Sequence, residues 1–227
     1  ILVSTDKAER PISIMSATKR LAEVICQGAN LSPKTRFMAV RFGNIIDSKS
    51  SFISVLKEQI SSGGPVTITD PDIERYFMSS SEAAKLILQS GAYGEGGEIF
   101  SLDMGTPVKI LDIANELIKL SDMQPGIDIP ISFIGARAGE NVPKNKNIDK
   151  NPPIKTNHKK INLVNQNIPD VKIKEIASRI IEGELVAHEY DRNILRSILT
   201  SLIPEYEPLK KDEVEPIVLK ASPKAQA

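Results

Sequence analysis

Three consecutive side chains, Thr5, Asp6 and Lys7, place a hydroxyl, a carboxyl and an amine directly after the apolar run Ile1-Leu2-Val3. A hydroxyl can hydrogen-bond a reacting oxygen, and a carboxyl and an amine can exchange protons with a substrate. By itself the tripeptide reads far more readily as a strand terminus with a solvated Asp–Lys pair. In a continuing strand Asp6 would point away from Thr5 and Lys7. Joint chemistry therefore requires the strand to end here. Met15 and Lys19 stand four apart, on one face of a helical pattern. Asn44 follows Gly43 at a strand end, where an amide can meet a phosphate. Arg75 and Arg137 carry the planar fork that gives a phosphate two parallel hydrogen bonds. A lone arginine is more often part of a surface ion pair.

The elements that must position these groups follow from the periodicity. Ile1–Ser4 is short, apolar and β-branched, as in a central parallel strand. Ile14, Ala17, Leu21, Val24 and Ile25 are spaced for one apolar helix face. Strands are expected over 35–42, 66–68, 98–102 and 129–134. Helices are expected over 52–60, 82–91, with Ser81 as its cap, and 110–120. Gly63-Gly64-Pro65 ends the first of these three helices. Alternating strands and helices predict a parallel α/β sheet with right-handed crossovers. From residue 141 to 169 the composition turns to Asn, Lys and Pro, which reads as a long loop. Helical patterns return within 170–208, and 209–227 reads as a disordered tail.

Bulk composition excludes several classes. The 29 basic and 29 acidic side chains cancel, which leaves no electrostatic case for nucleic acid as a partner. Cys26 is the single cysteine, so neither an internal disulfide nor a thiolate metal site is available. No apolar run approaches the ~18–20 residues of a membrane helix. The chain opens on a strand without an initiating Met, which reads as a piece of a longer protein; membrane anchoring of that parent is left open.

A doubly wound sheet holds its dinucleotide on a glycine-rich first turn, and no G-x-G-x-x-G occurs in this sequence. The remaining motifs nonetheless occur in a telling order. They run from Ser4-Thr5-Asp6-Lys7-Ala8 and Met15-Ser16-Ala17-Thr18-Lys19-Arg20 to Arg41-Phe42-Gly43-Asn44. Gly63-Gly64-Pro65-Val66-Thr67-Ile68-Thr69, Glu74-Arg75-Tyr76-Phe77-Met78 and Gly96-Gly97-Glu98-Ile99-Phe100 follow. Together they closely resemble the CapD-like polysaccharide-biosynthesis family of extended short-chain dehydrogenases, whose members include UDP-N-acetylglucosamine 4,6-dehydratases.

That resemblance implies the C-terminal part of a Rossmann-like α/β protein. Residues 1–140 would be the rest of an NAD(P)-binding domain interleaved with a substrate-binding lobe, and C-terminal helices would follow. It implies oxidation at C4 of a UDP-N-acetylhexosamine, loss of water across C5 and C6, and hydride return to C6. Asp6 would be the acid at the leaving hydroxyl, Lys7 the base at C5, and Thr5 the donor to the C4 oxygen. A lysine base needs a lowered pKa, which burial or a neighbouring ammonium can cause. Met15 stands where the wider superfamily has a proton-transferring Tyr, as it does in these dehydratases, and Lys19 would hold the ribose of NAD or NADP. Asn44, Arg75 and Arg137 would meet the nucleotide diphosphate or base. A cytoplasmic location and a homo-oligomer are expected by the same resemblance.

The chain departs from that pattern at Ser16, at Asp47-Ser48-Lys49, and after Glu140, where Pro143 interrupts an expected helix. A UDP-sugar 4-epimerase and a truncated or degenerate non-catalytic homologue therefore stay open as alternatives. The 227-residue chain alone is expected to be inactive.

Overall fold

The computed structural model describes residues 1–31, 34–46, 52–135, 152–165, 173–176, 178 and 192–208. The first apolar run forms β1 (Leu2–Val3), which pairs in parallel with β2 (Ala39–Arg41). β2 pairs in parallel with the later β7 (Ile99–Leu102). β2 and β7 are buried, as parallel strands covered on both faces are, whereas β1, expected as a central strand, lies at the sheet edge with Val3 47% exposed. On one face Val40, Phe100 and Leu102 pack with Leu86 of α3 (Ser80–Tyr93). The opposite face carries Arg41, which meets Glu23 of α1 (Ile14–Gly28).

The strands expected over 66–68 and 129–134 are not in this sheet but pair with each other in a separate two-stranded one, and two other strands complete it. Its order is β1-β2-β7-β11-β10, where β10 is Ile154–Lys155 and β11 is Ile161–Leu163. Both additions are antiparallel and lie inside the segment expected to be a loop over 141–169. Ile161 is buried with Phe100 and Leu102, so side-chain burial against an existing ladder outweighs an unfavourable composition. Lys160, in the turn before β11, donates to the Glu82 carboxylate of α3. That hydrogen bond raises the Lys160 ammonium pKa.

Local chemistry fixes the helix ends. Ser13 caps α1, accepting from Ser16 N at 3.2 Å while its own amide donates to Ser16 Oγ at 3.0 Å, a complete capping box. Ser16, a departure from the resembled pattern, thus closes the helix start. α3 is capped by Ser79, which accepts from Glu82 N at 3.2 Å; Ser81, the expected cap, lies within the helix. α2 (Phe52–Ser61) ends on Gly63 and Gly64 at φ 82° and 81°, a region side chains other than glycine rarely adopt.

The chain divides into two compact units whose segments alternate along the sequence. The first comprises Ile1–Ser48, Tyr76–Pro107 and Asn145–Pro208. In it, Ala17, Leu21 and Val24 of α1 pack on Ile173 and Ile176, and on Leu199 and Leu202 of α5 (Arg192–Leu202). The second comprises Lys49–Arg75, Val108–Lys144 and Leu209–Ala227. There α2 and α4 (Ile110–Lys119) pack together and on β4 (Val66–Ile68), with Leu56, Ile118 and Val66 fully buried. Residues 209–227, expected to be a disordered tail, lie outside the described residues.

Cys26 is half-buried and its Sγ donates to the Met38 carbonyl at 3.4 Å. Burial pushes its thiol up, so the reactive thiolate is scarce near neutral pH. Alkylation of the folded protein at pH 8 is expected to run about 10-fold slower than in denaturant. Equal rates, followed by mass spectrometry, would contradict the burial.

Candidate functional site

β1 ends at Val3, and the backbone turns at once into a 3-10 turn over Asp6–Ala8. Thr5 precedes it in extended conformation, φ −139° and ψ 151°, and caps it by accepting from Lys7 N at 3.4 Å. The turn removes the strand alternation that would have separated the three side chains. Asp6 Oδ1 accepts from Thr5 Oγ1 at 2.9 Å and from Lys7 Nζ at 3.1 Å. Hydroxyl, carboxylate and ammonium thus converge on one oxygen at the C-terminal end of a parallel strand, where open α/β sheets place their chemistry.

Two neighbours shape this end of the sheet. A Cβ built on Gly43 would lie 3.4 Å from Asp6 Oδ2 and 3.3 Å from both the Tyr76 carbonyl and Met104 Cε. The bare Cα is what lets this loop pass so near the carboxylate. Asn44 begins β3 (Asn44–Ile45), paired in parallel with β6 (Phe77–Met78), and its Nδ2 donates to the Tyr76 carbonyl at 3.1 Å. A cavity of about 160 Å³ opens beside Asp6, lined also by Glu9, Arg41, Ser101 and Asn165. Met15 is 52% exposed on α1 rather than packed in the core. Lys19, one turn on, donates from Nζ to the Val3 carbonyl at 3.4 Å.

Beneath the turn lies a charged cluster that the sequence reading does not single out. Glu23 is fully buried. Its Oε1 accepts from Ser4 Oγ at 2.5 Å and from Arg41 Nε at 2.8 Å. Its Oε2 accepts from Arg41 Nη2 at 2.6 Å and from Arg20 Nη1 at 3.2 Å. Arg20, also fully buried, reaches Glu205 Oε1 at 3.2 Å through Nη2. Arg41 Nη2 lies 3.5 Å from the Ala8 carbonyl. The sequence signal is a charged pair, Arg20 and Glu23, beside the apolar positions of α1, together with an arginine inside a buried strand.

Residues 1–166 match the profile of a family described as polysaccharide biosynthesis protein. The chain belongs to that polysaccharide biosynthesis protein family. Over 141 residues it is 53% identical to the capsular polysaccharide biosynthesis protein CapD of Staphylococcus aureus, covering 62% of this chain and 23% of the relative. Over 144 residues it is 34% identical to a UDP-glucose 4-epimerase of Rickettsia bellii, covering 62% and 40%. The chain therefore spans less than half the length of these relatives. A dTDP-glucose 4,6-dehydratase from Streptomyces venezuelae, solved with NAD bound, superposes with TM-score 0.54 at 15% identity, covering 62% of this chain and 48% of that one. This likeness shows the fold, a Rossmann-like α/β sheet, alone.

Within this chain, the expected site residues divide. Thr5, Asp6 and Lys7 share one turn, with Lys19 bonded to the strand that leads into it. Arg75 belongs to the other compact unit, on β5 (Glu74–Arg75), and donates from Nη1 to its neighbour's carbonyl at 3.3 Å. Arg137 lies outside the described residues. Among the described residues no cluster of His, Cys, Asp and Glu is suited to a metal, and no helix is long and apolar enough to cross a membrane.

Proposed function

We propose that this chain supplies the acid–base part of an NAD(P)-dependent nucleotide-sugar 4,6-dehydratase acting on a UDP-N-acetylhexosamine for surface polysaccharide. The observation that carries this reading is the convergence of Thr5, Lys7 and Asp6 on one carboxylate oxygen at the end of β1.

A nicotinamide cofactor, when bound, takes a hydride from sugar C4 and returns it to C6. Lys19 suits such a group, because its ammonium is a donor at the end of β1 and can serve ribose hydroxyls. Once C4 is a ketone, the C5 proton is acidic. Lys7 takes that proton and Asp6 gives one to the departing C6 hydroxyl, so the sugar loses one water and the protein keeps its proton count. When a hydride returns to C6, C5 must regain a proton, and the Lys7 ammonium gives its proton back there. The proton released from the C4 hydroxyl on oxidation equals the one that Asp6 gives to the departing water, so restoring the Asp6 acid closes the count. Lys7 Nζ lies 3.1 Å from Asp6 Oδ1. Thr5 Oγ1, beside them, donates to the C4 oxygen.

A 4-epimerase shares the C4 oxidation, and the 34% identity to a UDP-glucose 4-epimerase favours that reading. Against it, Met15 stands where the resemblance places Tyr in the epimerases and Met in the CapD-like dehydratases.

The test is to incubate the complete protein with UDP-N-acetylglucosamine and NAD+ or NADP+ in deuterated water. Loss of water with deuterium at C5, read by mass spectrometry and NMR, is the expected outcome. Unchanged mass with inverted C4 would establish the epimerase. No change across several UDP-sugars would make the chain a non-catalytic homologue.

A further inference from the structure

Lys7 and Asp6 are 36% and 45% exposed at their side chains, so packing does not fix where their reactive atoms point. Their aim rests on the turn that carries them. Its outer attachments are backbone bonds to the neighbouring strand, Ser4 N to Val40 O at 2.8 Å and Asp6 N to Phe42 O at 3.1 Å. On its buried side a single carboxylate reaches both flanks. Glu23 holds Ser4, the residue before the turn's cap, directly at 2.5 Å. Through Arg41, bound at 2.8 and 2.6 Å, it also reaches the carbonyl of Ala8, the residue that closes the turn.

We propose that Glu23, with Ser4 and Arg41, brackets the Thr5–Ala8 turn as a positioning device that sets the aim of Lys7 and Asp6. The proposal rests on the dehydratase reading for its kinetic consequence and on the structure for its mechanical one. Its physical basis is twofold. Buried ion clusters of this type are seldom better stabilisers than apolar packing of equal volume, whereas each contact here has a fixed direction. A misplacement of about 1 Å in a reacting group can cost about 10²-fold in rate. The contacts are also distributed as a bracket requires: one before the turn, one after it, and none to the reactive side chains themselves. Glu23, Ser4 and Arg41 are thus positioning residues, acting through Asp6 and Lys7.

Removing Glu23 risks unfolding, so the test uses Ser4→Ala, Arg41→Lys and the conservative Ser4→Thr in the complete protein. Amide exchange of Asp6, Ala8 and Glu9 is followed with that of α3 as an internal standard, alongside kcat and KM for loss of water from UDP-N-acetylglucosamine. Ser4→Ala and Arg41→Lys are expected to speed exchange at the three turn amides by about 10-fold or more while α3 is unchanged. They should lower kcat by about 10- to 100-fold with KM within about 3-fold. Ser4→Thr, which keeps the hydroxyl, should recover most of both losses. Turn amides that exchange as in the wild type overturn the bracket, and a loosened turn with unchanged kcat overturns its role in aiming. If the wild type releases no water, the dehydratase reading fails, and the exchange measurement alone still decides whether the bracket exists.

Discussion

Replacing Lys7 by alanine is expected to lower the rate of water loss from UDP-N-acetylglucosamine by about 10²–10⁴-fold, the usual contribution of a positioned proton-transfer group. Oxidation at C4 precedes the step that Lys7 serves. Reduced nicotinamide should therefore still form in a single turnover and then persist, because hydride return waits for elimination. Folding should be almost untouched. The Lys7 side chain is partly exposed and its ion pair with Asp6 is superficial, so the pair is worth at most about 1 kcal/mol. Asp6→Asn should separate the two halves of the step. With Lys7 in place, deuterium enters C5 of the oxidised sugar, but the C6 hydroxyl has no acid and leaves slowly. Wild-type water loss in Lys7→Ala would remove Lys7 as the base, and loss of stability matching the loss of rate would reduce the result to misfolding.

The parts of this architecture that were legible in the sequence are those that local chemistry decides. The apolar run Ile1-Leu2-Val3 marks β1 although Val3 is 47% exposed at the sheet edge, and the helix over 14–28 shows its face at Ala17, Leu21 and Val24. The Thr5-Asp6-Lys7 turn is also local, and its requirement that the strand end beforehand follows from alternation alone. The Rossmann-like α/β class is the one the structure and the comparisons show.

What was not legible depends on partners distant in the chain. Ile161-Asn162-Leu163 is too short to declare itself a strand inside an Asn- and Lys-rich segment, and only the exposed ladder of β7 makes it one. Among Ser79, Ser80 and Ser81, composition gives each the same capping chemistry; the helix start at Ser80 selects Ser79. Charged residues are rarely buried, and only the register of β1 against β2 sets Ser4 and Arg41 near the one carboxylate of Glu23. The second unit adds a different limit. Arg75 shares a motif with Tyr76-Phe77-Met78 in sequence, yet the boundary between the two compact units runs between Arg75 and Tyr76.

That buried carboxylate carries the second large effect. Glu23→Ala removes four hydrogen bonds and the counter-charge of two guanidinium groups that are 0% and 2% exposed. Breaking a buried ion pair by deleting one partner costs about 3–5 kcal/mol, because the surviving charge stays desolvated. Against a total stability of about 5–15 kcal/mol, the urea midpoint of Glu23→Ala should fall steeply or the variant should fail to fold. Arg20 keeps Glu205 at 3.2 Å, and Arg41 loses a two-point grip. This predicts a specific compensation. Glu23→Leu combined with Arg41→Met withdraws both charges and refills the space with apolar volume, so the double variant should be more stable than either single one. A double-variant midpoint at the sum of the single losses would show that the two side chains act independently and that no ion pair of consequence lies there. If stability returns while water loss does not, the cluster's contribution lies in directing the turn above it, since apolar side chains can replace its packing but cannot hold the Ser4 hydroxyl or the Ala8 carbonyl.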